Sequence, residues 1–437
     1  MKQGLERFFD LPGLGTNWRV EVMAGLTTFA TMSYIVLVNP AILKVAGIPA
    51  GPSMVATALT AAFGSLLMGL YAKRPFAIAP YMGENAFVAY TVVQAMGYDW
   101  RQALGAVFLA GVLFAALTRA GVRQWMVEAI PPALTHSFAA GIGLFLAFIG
   151  LSESGLIALG VPGAPVRIGA LNSAGALVAI AGFLVISLLY AARVPGALLL
   201  GILGAALLAF ALKVAPAPAN WLSLPPSPAP IVFQLSLGAA LKPAFVGVLL
   251  CIFVMALVDT MGSLIGVAAL GGLLDREGKL AQIERPMLVD ALATVFAALC
   301  GTTTAGVFVE SAAGVAAGGR SGLSAVVVGV LFLLALFAAP LAAAIPPQAY
   351  GPALVMVGIL MVPPVAKIDF SDLTELIPAF AVIAFMNFTF NIGAGITAGF
   401  VLYPLFKTVS GRVRQVRPGL WALFALSLLF FASYPYR

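Results

Sequence analysis

Charge is scarce in this sequence. Of its 437 residues only 9% are charged, while 62% are hydrophobic; an ordinary soluble domain carries about 25% charged residues. No soluble fold hides that much apolar surface. Cysteine is almost missing too. Cys251 and Cys300 sit in separate apolar segments without metal-ligand spacing, so they read as buried thiols and imply neither redox chemistry nor a metal site. His136 is the sole histidine. An intramembrane enzyme would need a nucleophile–base pair or a set of metal ligands, and one histidine with two distant cysteines supplies neither. A formal net charge of +7 would suit nucleic acid, but the basic residues fall one or two at a time between apolar segments. They read as topology signals, and no nucleic-acid partner is expected. Met1 to Arg19 is polar and lacks an apolar stretch followed by a small-residue cleavage site, so no cleaved signal peptide is expected.

What the sequence has in abundance is apolar runs of about 17 to 25 residues, each able to cross a hydrocarbon core roughly 30 Å thick. With several that are short or interrupted by Gly and Pro, they place spans near 20–43, 52–72, 76–96, 102–119, 131–151, 173–192, 195–213, 243–270, 286–300, 305–318, 322–345, 350–362, 373–390 and 392–407. The expected fold is an all-α polytopic membrane protein of fourteen transmembrane spans, multi-pass in the inner (plasma) membrane. With a cytoplasmic N-terminus, the inside collects Lys2, Arg7, Arg19, Lys73, Arg74, Arg119, Arg123, Arg193, Arg276, Lys279, Arg285, Arg320, Lys367, Lys407, Arg412, Arg414 and Arg417. The outside receives only Lys44, Arg101, Arg167, Lys213 and Lys242, as the positive-inside rule requires. A further apolar stretch, 420–431, reads equally as a fifteenth span or an interfacial helix.

A Pro-rich connection over 215–242, "APAPANWLSLPPSPAP", reads as an extended extracytoplasmic linker. It separates a first seven-span repeat (1–214) from a second (243–437). Because seven is odd, the second repeat is inverted relative to the first, a transporter design that places the substrate at discontinuous helices near the midplane. The third span opens with "PFAIAPYMGENAF", where Pro75, Pro80 and Gly83 spoil a helix. The tenth opens with "GTTTAGVFVESAAGVAAGG", which reads as a short strand ahead of a short helix. Backbone freed at such breaks must line a cavity or be buried in protein.

Ions buried in a bilayer are costly and usually functional. Glu310, one residue ahead of the small-residue helix Ser311 to Ala317, reads as a substrate or proton site, with a capping carboxylate as the alternative. Asp259, mid-span in "CIFVMALVDTMGSLIGV", reads likewise, against a polar lock between helices. Glu84 and Asn85 occupy the break of the third span, where an N-terminal cap is the plainer role; together they could pair with the donors and acceptors of a planar heterocycle. His136 reads as a structural residue near the end of the fifth span. Asp372 and Glu375, bordering the thirteenth span near Lys367, are tentative site residues that a solvated edge explains adequately. Phe87, Phe308 and Phe388 could stack on a ring, although with 30 phenylalanines most are core or lipid-facing.

In order along the chain, "VEVMAGLTTFATMSYIVLVNPAIL", "MGENAFVAYTVV", "PPALTHSFAAGIGLFLAFIGL", "DTMGSLIGVA", "VESAAGVAAGGRSGLSAVVVG" and "LIPAFAVIAFMNFTFNIGAGITAGF" resemble the AzgA-like branch of the nucleobase-cation symporter family, which includes adenine and guanine/hypoxanthine permeases. The resemblance implies a core domain (20–119 and 243–345), a gate domain (131–213 and 350–407) and a nucleobase held between the broken third and tenth spans. By motif its polar contacts are Asn85, Asp259 and Glu310. The resemblance implies proton-coupled import of a purine nucleobase by alternating access, with the proton as coupling ion and no cofactor. The partners expected are the purine and membrane lipid, and the broader fold often forms dimers, here a homodimer through the gate domain. A proton on Glu310 or Asp259, with Glu84 as a third candidate, would let the core move past the gate, since dragging a bare carboxylate through an apolar seal costs several kcal/mol. Two departures stand out: Ala256 replaces an acid that many relatives carry one turn before the aspartate, and Glu84 stands where many are apolar. We read Glu84 as taking over part of the missing acid's role. Another small solute on the same scaffold, such as sulfate or bicarbonate, is the alternative; three acids with no intramembrane Lys or Arg argue against an anion.

Overall fold

In lipid, backbone N–H and C=O groups have no water to turn to, so a spanning segment must satisfy them within itself as a helix. The computed structural model describes residues 2–121, 129–161, 164–218, 220–242, 245–274 and 280–433. Arg123, Arg276 and Lys279, assigned above to the inner side, lie outside the described residues.

The first span is two helices, α1 (Trp18–Met32) and α2 (Ile35–Val45). Near their junction Thr27 and Thr31 hydroxyls bond the carbonyls four residues back, a competition that bends helices. The second span is α3 (Ala50–Leu67), widening into a π-helix over Met68–Ala72. The third is broken: β1 (Ile78–Pro80), then α4 (Met82–Ala86), then a π-helix over Phe87–Ala95. α5 (Trp100–Arg119) and α6 (Pro132–Glu153) lead to an antiparallel pair, β2 (Ile157–Val161) and β3 (Ala164–Ile168), before α7 (Ala174–Ala191) and α8 (Ala197–Ala211). The second half runs α9 (Val246–Leu270), α10 (Glu284–Cys300), β4 (Ala305–Val307) and α11 (Ser311–Ala316). It ends with α12 (Gly322–Ala335), α13 (Pro347–Met361), α14 (Leu373–Phe388), α15 (Ile392–Val409) and α16 (Pro418–Ser433).

Among the described residues nine helical segments are long and apolar enough to cross a membrane, with shorter apolar helices at Ala197–Ala211, Leu373–Phe388 and Pro418–Ala432. The chain is an all-α multi-pass membrane protein of two inverted seven-span repeats. The breaks fall where expected and meet: β1 pairs antiparallel with β4, Ile78 opposite Val307 and Pro80 opposite Ala305. Antiparallel pairing of corresponding breaks is what inversion requires. The β2–β3 pair was not expected, because its apolar residues look like the neighbouring helices. Residues 420–431 form α16, which packs on α9 and α15.

Helix packing falls into two sets. α1, α2, α3, α5, α10, α11 and α12 pack among themselves, with α9 against α5; α6, α7, α8, α13, α14 and α15 form the other set. Gly306, at the middle of the β1–β4 pair, leaves no room for a side chain: a Cβ there would run into the Asp290 carboxylate and the Tyr81 hydroxyl. Gly306→Val is therefore expected to part the strands and destabilise the fold by about 1–3 kcal/mol, read as a drop in melting temperature of the detergent-purified protein.

Candidate functional site

The two breaks face a cavity of about 920 Å³. One wall carries Thr27, Thr31 and Tyr34 from the first span, Tyr81 to Gly83 from the third, Asp259 and Ser263 from α9, and Val307 to Glu310 from the tenth. The rest of the lining comes from Tyr190 near the end of α7, Arg193 in the α7–α8 connection, and Val357, Leu360 and Met361 of α13. Arg193, Val309 and Ala317 are exposed and mark its mouth.

Glu310 precedes α11 yet makes no cap bond, so the capping role fails. Its Oε1 accepts a hydrogen bond of 2.6 Å from the Tyr34 hydroxyl, and Thr31 Oγ1 donates to its carbonyl at 3.4 Å. Phe308 lies beside it. The Phe308 and Tyr81 rings are nearly parallel, 9° apart in plane with centroids 6.4 Å apart.

Asp259 reaches the cavity half-buried from α9, and the fully buried Glu84 carboxyl faces it from behind. Glu84 lies inside α4 rather than capping it, and neither of its oxygens has a hydrogen-bond donor among the described residues. A third acid, Asp290 on α10, closes the group. Tyr81 Oη donates to Thr260 Oγ1 at 3.3 Å, and Thr260 donates to Asp290 Oδ2 at 2.7 Å. The Tyr81 ring that lines the cavity is thus fixed by a polar chain ending on a buried acid.

Of the residues expected to form the site, Asp259, Glu310 and Phe308 line the cavity. Glu84 touches it only through Asp259. Asn85 and Phe87 are fully buried behind the wall, and Phe388, 86% exposed, stacks on nothing in the cavity. His136 lies on α6 away from the lining. Asp372 and Glu375 also stand apart, holding the buried Lys407 at 3.4 and 3.2 Å, with Arg412 on Asp372 at 2.8 Å. Arg193, assigned above to the inner side, stands exposed at the mouth.

Tyr34, Tyr81, Asp290 and Arg193 were missed from sequence. Thr27, Thr31 and Tyr34 recur at i, i+4 and i+7, a polar stripe in an apolar span. Asp290 is an acid inside a span and qualified by the same rule as Asp259.

Thr374, with help from Lys407, holds the Asp372 carboxyl down from 3.8 to about 2. Because the folded value is the lower one, the stabilisation is present above about pH 4 and fades as pH falls toward 2. Asp372→Asn is expected to lower the melting temperature by roughly 1–3 °C at pH 7, with the gap from wild type closing between pH 4 and 2.

The Permease family matches residues 19–399. Adenine permease AdeP of Escherichia coli is 41% identical over 426 residues, 98% of this chain and 95% of that one. Guanine/hypoxanthine permease PbuG of Bacillus subtilis is 39% identical over 438 residues, covering 98% of this chain and 99% of its own. The transmembrane domain of a cyanobacterium bicarbonate transporter, BicA, is alike in fold alone. Its TM-score is 0.64 over 87% of this chain and 96% of that one, at 16% identity.

Proposed function

This chain belongs to the Permease family, and on that premise we propose that it is a proton-coupled secondary transporter importing purine nucleobases by alternating access. The observation that carries the substrate class is the parallel Tyr81–Phe308 pair beside Glu310 and Asp259. Aromatic rings in the cavity wall suit a flat aromatic heterocycle, and carboxyls beside them suit ring N–H groups. Tetrahedral or small anions gain nothing from the rings and would meet two acids beside them. Adenine, guanine and hypoxanthine are the candidate cargoes, as the names of the full-length relatives indicate for those proteins.

In the proposed cycle the set holding α1, α3, α10 and α12 is the core, and the set holding α6, α7, α13 and α14 is the gate. The boundaries are those given above, and a homodimer forms through the gate in the lipid of the inner membrane. Facing carboxylates in an apolar enclosure repel, and one shared proton removes the repulsion. The Glu84–Asp259 pair or Glu310 takes up that proton, the protonated acid donates to the base, and the core crosses the gate without a bare charge. Proton release inside frees the base. Asp372 and Glu375 are assigned to the gate's ion-pair edge. With a cytoplasmic N-terminus, the mouth at Arg193 faces inward.

Detergent-purified protein is expected to bind adenine or hypoxanthine in equilibrium dialysis and to return it unchanged. Binding of bicarbonate or sulfate with no purine binding would overturn the substrate. Glu84→Gln is expected to abolish uptake, a loss on the order of 100-fold, with the protein still folded in the membrane. Normal uptake by that variant would remove Glu84 from the coupling.

A further inference from the structure

Far from the mouth, the two helix sets meet at a second cluster of side chains that no step above uses. Tyr90 lies on the π-helix of the third span, roughly 10 Å along it beyond Gly83, which lines the cavity. Its ring stands edge-on to Phe390 at 5.6 Å and to Phe145 at 6.3 Å. Phe390 in turn packs on Phe145 at 4.7 Å and Phe148 at 5.6 Å. At one side of these rings the Glu153 carboxylate accepts a hydrogen bond of 3.2 Å from the Tyr350 hydroxyl and faces the Tyr90 hydroxyl. Tyr90 is the cluster's contribution from the third span; Phe145, Phe148, Glu153, Tyr350 and Phe390 all come from α6, α13 and the α14–α15 junction.

Three features set this contact apart from ordinary core. It joins two sets of helices that otherwise pack mainly within themselves. It is built from a few large rings and one carboxylate. Phe390 holds a left-handed backbone, φ +52, a conformation a phenylalanine keeps only where its surroundings impose it.

We propose that Tyr90, Glu153, Tyr350 and Phe390 are the gate on the side opposite the mouth, closed in this structure, and that Tyr90 must leave Phe390 and Glu153 for that side to open. The proposal rests on the reading of the chain as an alternating-access carrier. It assigns to Tyr90 and Phe390 control of access rather than contact with the cargo.

The test uses Tyr90→Cys together with Phe390→Cys in proteoliposomes, joined by a short bifunctional thiol reagent. Native Cys251 and Cys300 are buried. Crosslinking is expected to cut adenine or hypoxanthine exchange by about tenfold or more, since one of the two states is forbidden. Reduction restores it, and adenine binding by the crosslinked protein stays within about threefold of the uncrosslinked. Unchanged exchange after complete crosslinking would mean the two residues move as one body and would overturn the gate. Joint loss of exchange and binding would do so as well, by making the cluster a support for the site. Independently, Phe390→Ala should loosen the closed side and slow alkylation of Ala317→Cys at the mouth by about fivefold as the population shifts; an unchanged labelling rate overturns the proposal. Failure of either purine to bind the uncrosslinked protein would count against the substrate, while the Ala317→Cys rate still decides the gate.

Discussion

Glu310→Gln is expected to abolish proton-driven accumulation of purine while sparing exchange of purine for purine. Glutamine has the size of glutamate and can still accept the 2.6 Å bond from the Tyr34 hydroxyl, so the cavity should keep its shape. What it cannot do is gain or lose the proton. A carrier fixed in the neutral form can still shuttle between its two openings with cargo aboard, but the gradient no longer drives it. With no exchangeable proton at this position the gradient has no hold on the carrier, and net uptake should fall on the order of 100-fold. Tyr34→Phe, which removes only the donor, should fall much less. If Glu310→Gln accumulates purine normally, the coupling proton belongs to the Asp259–Glu84 pair.

Phe308→Leu should weaken purine binding with little loss of folded protein. Leucine fills most of the space of a side chain only 6% exposed, so the cavity wall stays closed. It cannot present a flat face. Stacking of a base on an aromatic ring is worth about 1–3 kcal/mol, so Kd should rise roughly 5- to 150-fold, for adenine and hypoxanthine alike because every base has such a face. Phe308→Tyr should bind nearly as wild type. Equal affinities in Phe308→Leu and wild type would remove the ring pair from the site.

Much of this architecture was legible. Span positions follow from apolar length alone, and the broken third and tenth spans follow from Pro75, Pro80, Gly301 and Gly306. What brings those breaks together was not legible, because the β1–β4 pairing joins residues more than two hundred positions apart and three-residue strands carry no periodicity of their own. The β2–β3 pair escaped for the related reason that a short apolar run reads as either strand or helix.

Within the site, acids were easier to place than rings. Asp259 and Glu310 announce themselves because a charge in an apolar span needs a reason, whereas any of thirty phenylalanines could face anything. Asn85 and Phe87 were expected in the cavity and lie behind it. Tyr81 was overlooked since its role depends on Thr260 and Asp290, on two other helices. In the sequence Arg193 reads as a topology signal, and only the packing of α7 against α8 and α13 brings it to the mouth.

Uptake of radiolabelled adenine, guanine, hypoxanthine and uracil into cells lacking their own permeases, with and without a protonophore, bears most directly on proton-coupled purine import. Purine uptake that collapses when the proton gradient is removed, with uracil excluded, is the expected result. Well-expressed protein that moves none of the purines, or moves them undiminished with the protonophore present, would contradict it.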